Sequence, residues 1–155
     1  MSAKRRTGTR GRKVAAARPL RYIESSALLA ALLEQDESAL QALREDGERV
    51  TSALTFAETA RALVRARLAE RISVSDEQAC LRAIDQVRRR CAVAAVTDAV
   101  LLRAGRPFPQ EPIRTLDAIH LATVDLFGEA PQLVTVVSRD QRVRANARAL
   151  GYALA

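Results

Sequence analysis

Glu24 interrupts the stretch LRYIESSALLAALL (residues 20–33), between an apolar run that ends at Ile23 and a Leu/Ala-rich run that begins at Ala27. An unpaired carboxylate is costly to bury, so a charge at such a joint calls for a partner. Three more acids hold comparable places: Glu58 after VTSAL, Asp117 in TLDAIHLATVDLF, and Asp140 after LVTVVS. Oxygen-only clusters suit Mg2+ or Mn2+, hard ions that retain waters for chemistry. Two such ions about 3.5–4 Å apart activate water and stabilise the leaving oxygen of a phosphodiester. The chain has a single histidine, His120, and shows no Ser/His/Asp or Cys/His set. The carboxylates are therefore the chemistry on offer.

Their positions depend on the elements around them. Apolar runs at 20–23, 50–54, 92–96 and 133–137, with a weaker one at 152–154, predict strands. Helical patterns cover 26–34, 38–45, 56–70, 75–90, 98–104, 116–127 and 139–150, and GRPFPQEP (105–112) reads as a loop. Strands separated by helices predict an α/β fold with a mainly parallel central sheet. In such folds ligands gather at the carboxyl ends of the strands. Glu24, Glu58 and Asp140 all fall just past a strand, and Asp117 opens a helix.

Each acid also has a structural reading. TFAE (55–58) fits a capping box in which Thr55 caps the helix and Glu58 reaches back, and Arg61 can pair with Glu58. Thr115 is a fair cap for the helix of Asp117, but Leu121 and Val124 place that acid on an apolar stripe. Ser138 is a plausible cap for the last long helix, with Asp140 in its first turn. Glu24 caps nothing obvious. His120 reads as a packed core histidine. Convergence at one sheet edge is what these separate readings leave unexplained, since four clustered carboxylates repel without a cation.

The stretches YIESSALLAALLEQDE, TSALTFAETARAL, IRTLDAIHLATVDLF and LVTVVSRDQRVRANARALG resemble the four successive acidic motifs of PIN-domain ribonucleases, most closely the VapC-type toxins of bacterial toxin–antitoxin pairs. The resemblance implies a three-layer α/β/α sandwich and a Mg2+- or Mn2+-dependent endoribonuclease acting on RNA. It also implies a homodimer and a small antitoxin partner. By position, Glu24, Glu58, Asp117 and Asp140 match the catalytic and metal-binding acids, with Ser26 and Ser138 as supporting hydroxyls. Arg61 and Arg65, on the helix of Glu58, are candidates for RNA phosphates. The family has aspartate where this chain has Glu24, one methylene longer. That difference puts the full catalytic rate at issue and favours Mn2+ over the geometrically stricter Mg2+. The alternative function is a catalytically weakened PIN-like module that binds RNA or a protein partner.

Composition sets the remaining bounds. The 155 residues are 48% hydrophobic with no Trp, enough for one aliphatic core. The net charge of +7 lies wholly in residues 1–18, which hold seven basic residues and no acid. These residues read as a basic flexible arm, and 19–155 as a PIN-like domain. No apolar run approaches the roughly 20 residues of a membrane span, and no apolar segment of signal-peptide type follows the basic start. Cys80 and Cys91 lack metal-type spacing, which fits a reducing cytoplasm.

Overall fold

The computed structural model describes residues 19–155; the basic arm expected over 1–18 lies outside them. The run LRYI forms strand β1 (Leu20–Ile23). The other strands are β2 (Glu48–Ser52), β3 (Ala92–Ala94), β4 (Val134–Val137) and β5 (Ala153–Leu154). They pair in parallel in the order β3-β2-β1-β4-β5, so β1 is central, with Tyr22 beside Val50 and Val136. A strand with neighbours on both sides and helices on both faces has no solvent side, which is why its sequence does not alternate. Even Arg21 is buried, its guanidinium donating to Ala42 O at 2.9 Å and pairing with Glu45 at 2.7 Å.

Helices α1 (Ser25–Leu33), α2 (Glu37–Arg44), α3 (Ala53–Leu68) and α4 (Val74–Arg89) connect β1 to β3 by way of β2. Helices α5 (Asp98–Ala104) and α6 (Thr115–Asp125) lead back to β4, and α7 (Gln141–Ala149) leads on to β5. The chain steps outward from β1 in one direction, then returns to its other side, so right-handed crossovers put the two helix groups on opposite faces. On one face Tyr22, Val134 and Val136 pack with Val100, Leu121, Val124 and Val143. On the other, Val137 meets Ala27 and Ala42. The architecture is the expected three-layer α/β/α sandwich. Among the described residues no helix is long and apolar enough to cross a membrane.

One local departure from the sequence reading, and one bracing of a loop the sequence already marks, matter for the site. The second strand ends at Ser52, and α3 begins at Ala53 rather than at residue 56. Ser52 is the cap, accepting from Leu54 N at 3.2 Å. Thr55 already lies in the helix and is turned inward, where Thr51 Oγ1 approaches it to 2.9 Å while also donating to Ile23 O at 2.6 Å. The proline-rich loop is pinned to α7: Asn146 accepts from Gln110 N at 2.8 Å and donates to Gln110 O at 2.9 Å. Glu111 adds a second brace by accepting from Phe108 N at 3.0 Å and Ile113 N at 2.8 Å, bonds that hold its carboxyl below the usual range. Together these contacts fix where α6, and so Asp117, begins.

Candidate active site

In a parallel sheet all strand ends of one kind lie on one edge. Here the order reverses between β1 and β4, the place where open α/β sheets leave a crevice for a ligand. Glu24 directly follows β1, Ser138 and Asp140 follow β4, and Glu58 lies in α3 beyond β2. Asp117, in the first turn of α6, faces the same crevice, for the charges of Asp140 and Glu24 both act on it.

Glu24 is 3% exposed and, contrary to the sequence reading, it caps a helix. Helix α1 begins at Ser25, one residue earlier than expected, with Glu24 extended at φ −95° and ψ 157°. The Ser26 amide donates to both carboxylate oxygens at 3.1 Å. Ser25 Oγ donates to Oε1 at 2.5 Å, and the hydroxyls of Ser26 and Ser138 donate to Oε2, the latter at 2.8 Å. Donors of this kind fold the longer side chain back toward its own helix and hold its orientation. The Glu24 amide donates to Val137 O at 3.0 Å, tying the ends of β1 and β4.

The two supporting serines meet, with Ser26 Oγ 3.2 Å from Ser138 Oγ. Ser26 Oγ also accepts from Arg139 N at 2.8 Å and Asp140 N at 3.0 Å. Ser138 is not the cap of α7. Asp140 is, its carboxylate accepting from Arg142 N at 2.7 Å and Val143 N at 3.2 Å. Nor does Thr115 cap α6: it is the first helical residue, and Arg114 occupies the capping position without a side-chain bond.

Glu58 does not cap either, because α3 starts too early for a box with Thr55. Its Oε2 lies 2.6 Å from His120 Nε2. His120 is 1% exposed, a packed core residue as its sequence context suggests, but its ring also bridges Tyr22 and Glu58. Nδ1 lies 2.7 Å from the Tyr22 hydroxyl. Burial, then the charge of Glu24, push the Tyr22 phenol well above its ordinary range, so it stays protonated. Local sequence does not show these roles of His120 and Tyr22, although two signals point to them. His120 follows Asp117 by three residues on one helix face, and Tyr22 precedes Glu24 by two on one side of the strand.

Asp117 carries the clearest electrostatic signature. Its Oδ2 is buried and lacks a hydrogen-bond partner. Burial first, then the charges of Asp140 and Glu24, push its carboxyl up to about 6, against the opposing pull of Arg114 and His120. An orphaned acid oxygen facing two other acids fits a divalent cation better than any protein partner. One ligand atom from each of Glu24, Glu58 and His120 also lies within 4.8 Å of the others, a spacing that could hold a metal ion. Arg61 and Arg65 are exposed on α3, three and seven residues beyond Glu58, and neither forms an ion pair among the described residues.

The sequence model of the PIN domain matches residues 21–149, which span the sheet from β1 through α7 and all four acids. The chain belongs to the PIN-domain family. This PIN domain is 35% identical over 137 residues to Ribonuclease VapC35 of Mycobacterium tuberculosis, covering 86% of the chain and 93% of the relative. It is 38% identical over 139 residues to Ribonuclease VapC46 of the same organism, covering 86% and 94%. Its fold is shared with the crystal structure of M. tuberculosis VapC20, a sarcin–ricin loop cleaving toxin, at a TM-score of 0.60 and 18% identity over 85% of this chain and 95% of that one. It is also shared with VapBC2 from Rickettsia felis, bound to a DNA fragment from the promoter, at a TM-score of 0.59 and 13% identity over 88% and 97%. The VapC-type PIN fold read from the four acidic stretches is thus the family's own.

Proposed function

We propose that this PIN domain is a Mg2+- or Mn2+-dependent endoribonuclease, the toxin of a toxin–antitoxin pair. The observation that carries the reading is the buried, unpartnered Oδ2 of Asp117 facing Asp140 and Glu24 at the sheet's switch point. Glu24, Glu58, Asp117 and Asp140 would hold the ion or ions. A divalent cation bound there supplies activation of water and neutralisation of charge developing on a phosphodiester. The chain's own residues do the positioning. Ser25, Ser26 and Ser138 fix the Glu24 carboxylate through their hydroxyls, and Ser26 ties Asp140 to the same unit. Arg61 and Arg65 lie on the exposed side of α3, where they can reach RNA phosphates leading to the crevice.

The relatives support the partners as well as the chemistry. Three solved neighbours are VapBC or toxin–antitoxin structures, which favours a small antitoxin protein as partner. A homodimer acting on cytoplasmic RNA completes the reading. Purified protein with Mn2+ should cleave RNA, lose that activity with a chelator, and regain it on metal addition. Asp117→Asn keeps shape but removes charge, so it should abolish cleavage while circular dichroism stays unchanged. Undiminished cleavage by the folded variant would remove Asp117 from the site.

A further inference from the structure

We infer that His120 is a positioning residue for Glu58: the Tyr22 hydroxyl holds its ring in the Nε2–H tautomer, and that N–H aims the Glu58 carboxylate at the site. The inference rests on the reading of Glu58 as a metal ligand. It differs from the simplest use of a histidine among acids, which is to bind the metal itself.

The geometry favours the positioning role on three counts. A nitrogen and a carboxylate oxygen 2.6 Å apart share a proton, since two bare acceptors at that distance repel. A neutral imidazole has one donor and one acceptor, so a donating Nε2 leaves Nδ1 to accept. The group at Nδ1 is Tyr22 Oη, 2.7 Å away and able to supply that proton. With its proton in place, Nε2 has no lone pair to offer a cation. No other hydrogen bond among the described residues reaches the Glu58 carboxylate, so His120 alone sets its direction. Nε2 also stands 3.8 Å from Glu24 Oε1, so the ring spaces the two acids as well.

The fold builds this link from two repeats. Tyr22 on β1 lies two residues before Glu24, whose backbone is still extended, and Asp117 and His120 lie three apart on α6, so each stretch offers one orienting residue and one acid to the same face. The rings of Tyr22 and His120 meet edge to face with centroids 6.0 Å apart, which further restricts the imidazole.

The chain's single histidine makes the test clean, because a tag-free protein gives one set of imidazole nitrogen signals. In the metal-free protein, 15N spectra should show Nε2 protonated and Nδ1 bare. Bound Mn2+ should show no directly coordinated imidazole nitrogen by electron spin-echo spectroscopy. Outer-shell partners of metal ligands typically contribute about 10–100-fold to affinity, and His120→Ala should lose that much. His120→Gln can still donate to Glu58 and should bind Mn2+ within about threefold of wild type. An Nδ1–H or doubly protonated ring, an imidazole coupling to bound Mn2+, or a folded Gln variant as weak as Ala would overturn the positioning role alone. A folded wild type that binds no Mn2+ would overturn the metal reading, and the positioning role with it.

Discussion

Ser26 and Asp140, 114 positions apart, are joined by one hydrogen bond, the Asp140 amide donating to Ser26 Oγ at 3.0 Å. The same hydroxyl donates to Glu24 and accepts from Arg139 N, so one small side chain links the two acids that follow β1 and β4. Removing it leaves the Arg139 amide without its acceptor. Ser26→Ala should lower stability by about 1–3 kcal/mol, the usual consequence of an unmet buried donor. It should also slow cleavage roughly 10–100-fold, as second-layer contacts to metal ligands do. Ser26→Thr keeps the hydroxyl and should recover most of both. Urea melts and single-turnover cleavage read the two effects separately.

Asp117 gives stability a pH dependence with a definite sign. Its folded carboxyl sits near 6, against an ordinary value of 3.8. Between those values the folded protein holds a proton that the unfolded chain has released, so this group favours folding at low pH. Its contribution falls as pH rises through about 6. Asp117→Asn removes that loss. Without metal, the variant should melt above wild type at neutral pH, and the gap should close below pH about 4. A constant gap across that range would show that the carboxyl does not titrate as its surroundings require.

A cation that binds only the folded site stabilises it by mass action. At a free concentration about 100 times its Kd the gain is about 2.7 kcal/mol, which for a domain of this size is roughly 5–10 °C in melting temperature. Mn2+ should produce such a shift, and Glu58→Gln should reduce it to less than half. Equal shifts in wild type and variant would place the ion elsewhere.

Glu24→Asp shortens an arm whose length is in use. Glu24 reaches Ser138, just past the neighbouring strand β4, while also receiving the Ser26 amide, and an aspartate draws both oxygens back toward the main chain. The substitution should leave α1 capped and the protein folded but draw the carboxylate away from Ser138, lowering cleavage with either ion. Glu24→Ala should lose cleavage outright and cost about 1 kcal/mol more through the lost cap. Higher Mg2+-supported activity in the aspartate variant would instead mean that the longer side chain is a handicap.

What could be read from the sequence divides along local and distant partners. LRYI and VTVV announce their strands because a fully buried strand needs only an apolar run between breaks. The four acids could be placed at strand ends and helix starts for the same local reason. The cap on α1 could not be read, because glutamate is a poor cap by propensity, and a hydroxyl that helps seat it comes from Ser138, 114 positions away. TFAE suggested the wrong start for α3, since choosing Ser52 over Thr55 depends on Thr51 bonding to Ile23 O in the next strand. The polar work of His120 stayed hidden because Glu58 is 62 positions away.

The pairing of β1 with β4 also governs when the site can exist during synthesis. The partner of β1 on one side is made more than a hundred residues after it, and with that partner come Ser138 and Asp140. Pairing across so long a loop is slow to nucleate and is completed only once the intervening helices are in place. A growing chain that has not yet reached residue 134 therefore carries Glu24 and Glu58 but no crevice between them. The ribosome making such a chain holds a set of unassembled parts rather than a nuclease.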